Sequence, residues 1–187
     1  MGFFQRMFKK VEDVNRGEAA AAELESEMVL ITEEDAYDFW IQMAQNILVN
    51  AVNATGSTVD RAFVILDFRT EPSFELFYQQ NGSLLMWDQL ENKTITEKIR
   101  TQLLPQAPDA ANAINENFIA AGHVPIAYAE LQFEWATKAW FSHIIWADGE
   151  HADISRDELL QNWFARMEKE TENVPLDSDH KLSWYPE

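Results

Sequence analysis

Three runs rich in aromatic and β-branched residues follow one another within residues 62–87: AFVILDF (62–68), FELFYQ (74–79) and SLLMW (83–87). Runs of this composition read as strands. Pro72 lies in the first connection, and the second is Asn81-Gly82, a pair that accepts the positive φ angles of a two-residue hairpin turn. A three-stranded antiparallel meander is the element around which the remaining chain has to be arranged.

The flanking patterns supply helices and a further hairpin. Thr32 is placed to cap a helix, and Glu33, Glu34 and Asp35 set negative charge at the positive end of its dipole. Ala36, Phe39, Trp40, Met43, Ala44, Ile47, Leu48 and Ala51 then recur along one stripe, with Gly56 just beyond. Helices are predicted at about 94–104 and 109–121, interrupted by Pro105 and Pro108, closed by Gly122 and Pro125, and covering one sheet face. Residues 126–135 and 139–146 form a second hairpin about Ala136-Thr137-Lys138, with Ala127, Ala129, Leu131 and Phe133 on one side and Asp148-Gly149 ending it. Ser155-Arg156-Asp157-Glu158 has capping-box spacing and starts a last helix that directs Leu159, Leu160, Trp163, Phe164 and Met167 to the core. The expected fold is α+β: an antiparallel sheet, made of a β-meander plus a β-hairpin, packed by helices.

The ends differ from this middle. In residues 1–16, Arg6, Lys9, Lys10 and Arg16 against Glu12 and Asp13 leave a charge of +2, and Phe3, Phe4, Met7, Phe8 and Val11 recur at helical spacing. An Ala/Glu stretch follows, so residues 1–31 read as an N-terminal amphipathic and acidic helical appendage, residues 32–172 as the α+β domain, and residues 173–187 as a polar tail. Docking of the basic segment on the acidic body is favoured over membrane contact. No apolar run reaches the roughly 18 residues of a spanning helix, and there is no secretory signal or cysteine, which leaves a cytoplasmic setting as the expectation.

Charge narrows the partners. The chain holds 32 acidic and 14 basic residues, a net −18, and no Lys or Arg stands between Arg16 and Arg61. Such a molecule repels nucleic acid and anionic lipid and attracts cationic proteins. Catalytic signatures are missing: there is no Gly-x-Ser-x-Gly turn and no glycine-rich phosphate loop. His143, Asp148, Glu150, His151 and Asp153 cluster in sequence, but without metal-ligand spacing, so they read as a solvated turn; no metal, cofactor or catalysis is expected. Two acidic surfaces are candidates for partner binding, Glu33, Glu34 and Asp38 at the first helix, and Asp148, Glu150, Asp153, Asp157 and Glu158 about the last helix start. Trp135, Trp140 and Trp146, near strand ends beside carboxylates, are the candidate anchors.

Residues 61–68 (RAFVILDF), 74–78 (FELFY) with the Asn81-Gly82 turn, the hairpin into Asp148-Gly149 and the aromatic last helix at Trp163-Phe164 give residues 33–172 a likeness in element order to one known group. In these segments the chain resembles the YezG/EsaG-type family of bacterial immunity proteins. The resemblance implies an α+β fold, no catalysis, and a cognate toxin domain, a nuclease, as partner. The expected function is therefore an antitoxin that occludes a basic toxin domain, acting as a monomer or small homo-oligomer. The alternative is a non-enzymatic regulatory or scaffold protein recruited to a membrane or a larger assembly through residues 3–11.

Overall fold

A computed structural model describes residues 31–69 and 71–171 of the chain. Residues 1–30, 70 and 172–187, and with them the expected appendage up to residue 30, its recruiting role and the tail, lie outside the described residues. In chain order the elements are α1 (Glu33–Ala54), β1 (Arg61–Asp67), β2 (Ser73–Gln80), β3 (Ser83–Met86), α2 (Lys93–Lys98), α3 (Ala107–Ala120), β4 (Ile126–Glu134), β5 (Trp140–Trp146) and α4 (Arg156–Thr171). The fold is α+β.

All strand pairs are antiparallel, in the order β3-β2-β1-β4-β5. The meander and the hairpin meet at β1 and β4, where Val64 faces Leu131 and Leu66 faces Ala129. Asn81 and Gly82 adopt φ of 51° and 81°, the left-handed pair that closes a tight hairpin without splaying its strands. Every residue of β1 is buried, because helices cover both sides of the sheet.

The two sides are separate cores. Ala62, Val64, Leu66, Leu76, Tyr78, Ala129 and Leu131 pack beneath Trp40, Met43, Ile47 and Leu48 of α1 and Ile114 and Phe118 of α3. Tyr78 donates its hydroxyl to the Ala51 carbonyl at 3.2 Å, which fastens α1 to the sheet, and burial pushes its ionisation above the ordinary tyrosine range. On the other face, Phe63, Ile65, Phe77, Ala127 and Tyr128 meet Leu159, Trp163 and Met167 of α4. Among the described residues, α1 joins α3 on one face and α4 takes the other. Fully burying one such aliphatic or aromatic side chain contributes about 1.5–3 kcal/mol, so both layers are needed.

Two details differ from the periodicity. Ala127 lies on the α4 face while Ala129, Leu131 and Phe133 pack on the opposite one, because a register shift between Ile126 and Tyr128 inserts a bulge that reverses the alternation. The path from α2 to α3 is also not broken: α2 runs into a π-helical turn (Ile99–Leu103), a 3₁₀ turn (Leu104–Gln106) and then α3. Pro105 and Pro108 occupy first-turn positions, where an absent N–H costs nothing.

One ion pair is built into the α4 face. Arg61, 3% exposed, reaches Glu134 Oε1 with Nε at 3.0 Å and Nη2 at 2.6 Å and also donates to Gln79, tying β1 to both neighbours. Among the described residues no helix is long and apolar enough to cross a membrane.

Candidate functional site

The first acidic surface is shaped by the ends of two helices. Thr32 caps α1 with its hydroxyl, accepting from the Asp35 N–H at 3.1 Å, and Asp35 Oδ2 accepts from the Thr32 N–H at 3.0 Å. Hydrogen bonding from the Thr32 hydroxyl and then from its backbone holds the Asp35 carboxyl below the ordinary carboxylate range. With Asp35 engaged in the cap, Glu33, Glu34 and Asp38 project into solvent. At the other end, α3 closes on Gly122 at φ 90°, and the N–H of His123 donates back to the Phe118 carbonyl at 2.9 Å. That closure folds His123 onto the end of its own helix.

Four rings meet there. The His123 imidazole lies parallel to Trp146, 5.0 Å between centroids, while Phe118 stands edge-on to both at 5.5 Å and 5.1 Å. Tyr37 is edge-on to Phe118 at 5.2 Å and to His123 at 5.9 Å. Glu33 Oε1 sits 3.6 Å from His123 Nε2, so the carboxylate rim reaches the ring cluster directly. Tyr37, which touches both Phe118 and His123, is 37% exposed, and the residues next in sequence to those two, Ile119 and Val124, are 52% and 39% exposed. Ile41, also exposed, lies one turn beyond Tyr37 on α1. The result is an apolar, ring-bearing corner with Glu33, Glu34 and Asp38 around it.

The second acidic surface has a different core. Asp148, Glu150, Asp153, Asp157 and Glu158 are all exposed, and Ser155 caps α4 by accepting from the Glu158 N–H at 3.2 Å. Beneath lies Asp67, 2% exposed at the end of β1, which accepts from Arg69 at 2.8–3.0 Å and from Arg156 Nε at 3.1 Å. Arg69 also donates to the Ala152 and Ile154 carbonyls, and Arg156 to the Glu71 carbonyl at 2.7 Å. An open cleft of about 530 Å³ is lined by Asp67, Arg69, Glu71, Ser155, Arg156 and Asp157. Both guanidiniums are committed to Asp67 and to backbone carbonyls. The arrangement latches the 147–155 turn and the α4 start to the sheet.

The tryptophans separate. Trp135, 40% exposed, stands at the β4–β5 turn with Lys138 Nζ 3.0 Å from its ring centroid, so a cation covers it where carboxylates were expected. Trp140 and Trp146 are half-buried and pack on the α1/α3 core, because both fall on the inward side of β5. Seven residues of strand place Trp146 about 20 Å from Trp140, so the three indoles do not share one surface. Only Trp146 meets an acidic rim, through His123. His143 stands opposite Glu130, whose carboxylate takes a 3.0 Å hydrogen bond from Arg166, and His151 is in an exposed turn at φ 71°. Among the described residues, no group of three or more His, Asp or Glu side chains is arranged to hold a metal ion.

Tyr37, Phe118, Ile119, His123 and Val124 were not among the residues singled out by sequence. Tyr37 lies off the apolar stripe of α1, and His123 reads as a loop residue until the Gly122 closure is known.

Fold and site together describe an α+β protein with helices on both sheet faces and an acidic, aromatic corner where α1, α3 and β5 meet. Compared with known proteins, the chain matches no family model and no curated protein.

Proposed function

We propose that this chain is a cytoplasmic immunity protein, a non-catalytic binder that neutralises a basic toxin domain, a nuclease, by covering its active site. One observation carries the reading: exposed Tyr37 sits on a ring cluster whose His123 lies 3.6 Å from Glu33, with Glu34 and Asp38 exposed on the same helix and Ile119 and Val124 exposed next in sequence to Phe118 and His123. A cationic cleft that normally holds phosphates is complemented by carboxylates, while buried aromatic contacts supply affinity. The corner is favoured over the 148–158 surface, where no large hydrophobic side chain is exposed.

The test is association with a basic toxin domain sought in the reading frames adjacent to this one, followed by stopped-flow fluorescence; adjacent frames that encode no such domain would count against the reading. Raising salt from about 0.05 to 0.5 M shortens the Debye length from roughly 14 to 4 Å, and the association rate is expected to fall at least about tenfold. The Glu33→Lys, Asp38→Lys double variant should slow association, and Tyr37→Ala should speed dissociation by about 10–100-fold. A rate flat with salt, together with unchanged binding by these variants, would remove the corner from consideration.

A further inference from the structure

β5 closes one side of the sheet, and its sequence does nothing to guard that edge. Edge strands are ordinarily blunted by lysine, proline, inward charge, bulges or brevity, because unpaired N–H and C=O groups recruit another strand. The opposite edge, β3, is four residues long and runs directly into the 3₁₀ turn Trp87–Gln89. β5 is seven residues, WFSHIIW, with no Lys, Arg, Asp, Glu, Pro or Gly, in a chain whose charged fraction is 25%. All seven residues are partly exposed.

The ladder fixes which backbone groups are available. The Ala139 carbonyl accepts from the Glu134 N–H at 2.9 Å, and Phe133 pairs with Trp140 and Gln132 with Phe141. Antiparallel alternation then turns the backbone groups of Phe141, His143 and Ile145 toward β4 and those of Trp140, Ser142, Ile144 and Trp146 outward. Among the described residues, no strand lies on that outer side.

We propose that β5 pairs with β5 of a second copy of this chain, antiparallel about a two-fold axis at His143, joining two five-stranded sheets into one. In this register Ser142 faces Ile144 of the second copy and Trp140 faces Trp146 of the second copy. Each facing pair has outward groups on both strands and exchanges two hydrogen bonds, about eight in all. The strand ends argue for this occupant over a different protein. Lys138 precedes β5 and Asp148 follows it, two residues from either terminus, so antiparallel pairing brings the lysine end of each copy to the aspartate end of the other. A strand that is apolar in its middle and oppositely charged at its ends is complementary to itself. In a body of net charge −18, this carboxylate-free strip is also where two copies approach against the least repulsion.

Sedimentation of the full chain tests the pairing. The expected species has twice the 21.6 kDa chain mass and dissociates on dilution. Ser142→Pro removes an outward N–H that the β4 ladder does not use, and should weaken the dimer about 100-fold. Ser142→Ala keeps that N–H while losing the 3.3 Å hydrogen bond from Trp40 Nε1, and should remain dimeric. The exposed turn residues provide a readout that does not depend on strand integrity: Lys138→Glu should weaken association about tenfold, and adding Asp148→Lys should restore it. A chain that stays monomeric at about 100 μM, a dimer indifferent to Ser142→Pro, or a Lys138→Glu loss that Asp148→Lys does not rescue overturns the proposal. None of these outcomes depends on the toxin-binding corner, whose failure would appear only in the association experiment above.

Discussion

Trp163→Ala is expected to cost about 3–5 kcal/mol of folding stability, measured by urea unfolding, the range for emptying a large aromatic site. Trp163 is 2% exposed and is the central contact between α4 and the sheet. Its ring stands edge-on to Phe63 at 5.7 Å and to Phe77 at 5.2 Å, and those two rings stack on each other at 4.5 Å. Three mutually oriented rings add favourable quadrupole contacts to the area they bury. The indole Nε1, however, is buried with no hydrogen-bond partner among the described residues. Leaving a buried donor unsatisfied costs about 1–3 kcal/mol, so Trp163→Phe loses volume and contacts but relieves that cost, and should stay within about 1.5 kcal/mol of the parent chain. A loss in Trp163→Phe as large as that in Trp163→Ala would mean that the indole itself is required at this site and that its orphaned N–H carries no relievable cost.

Features written over a few neighbouring residues were legible before the structure. The Thr32 cap needs only Asp35 three positions on, and the Asn81-Gly82 turn needs only its own two φ angles, so both appear where local chemistry puts them. The strands around them followed from composition, with ends moved by a residue or two. What could not be read is set by partners far away in sequence. The side of the sheet that α4 takes depends on Trp163 finding Phe63, a hundred residues earlier. Ala127 changed face because a single bulge resets the alternation, and nothing in its own identity signals this. Trp140 and Trp146 fell inward since β5 parity, not proximity to carboxylates, decides where an indole points. The ring corner joins Tyr37 of α1, Phe118 of α3 and Trp146 of β5, three elements whose meeting is a tertiary fact.

The Asp67 latch is of this long-range kind as well, and it makes the second large prediction. Asp67→Asn removes the one charge that two guanidiniums share across 89 residues of sequence, from Asp67 to Arg156. Breaking a buried pair by deleting one partner ordinarily costs about 3–5 kcal/mol, but Arg69 and Arg156 are 29% and 33% exposed and recover part of their hydration, so about 2–3 kcal/mol is expected here. The pH dependence carries a signature. Burial alone would raise the Asp67 carboxyl, yet hydrogen bonds from Arg69 and Arg156, together with the charge of Arg69, outweigh it and hold the group below its ordinary 3.8. The unfolded chain therefore binds the proton first, and stability from Asp67 is present above about pH 3.8 and lost as pH falls toward the folded value. Glu75, on the same sheet face, runs the other way: burial raises it above 4.5, only partly opposed by Arg156 and reinforced by Asp157 and Asp67. The folded chain then takes the proton first, so acidification toward pH 4.5 is stabilising at this group. Unfolding free energies measured from pH 7 down to 2.5 should show Asp67→Asn flattening the fall below pH 3.8, and Glu75→Gln flattening the gain above pH 4.5. An acid limb unchanged in Asp67→Asn would mean that the latch carries no net stability and that the α4 start is held by the Trp163 contacts alone.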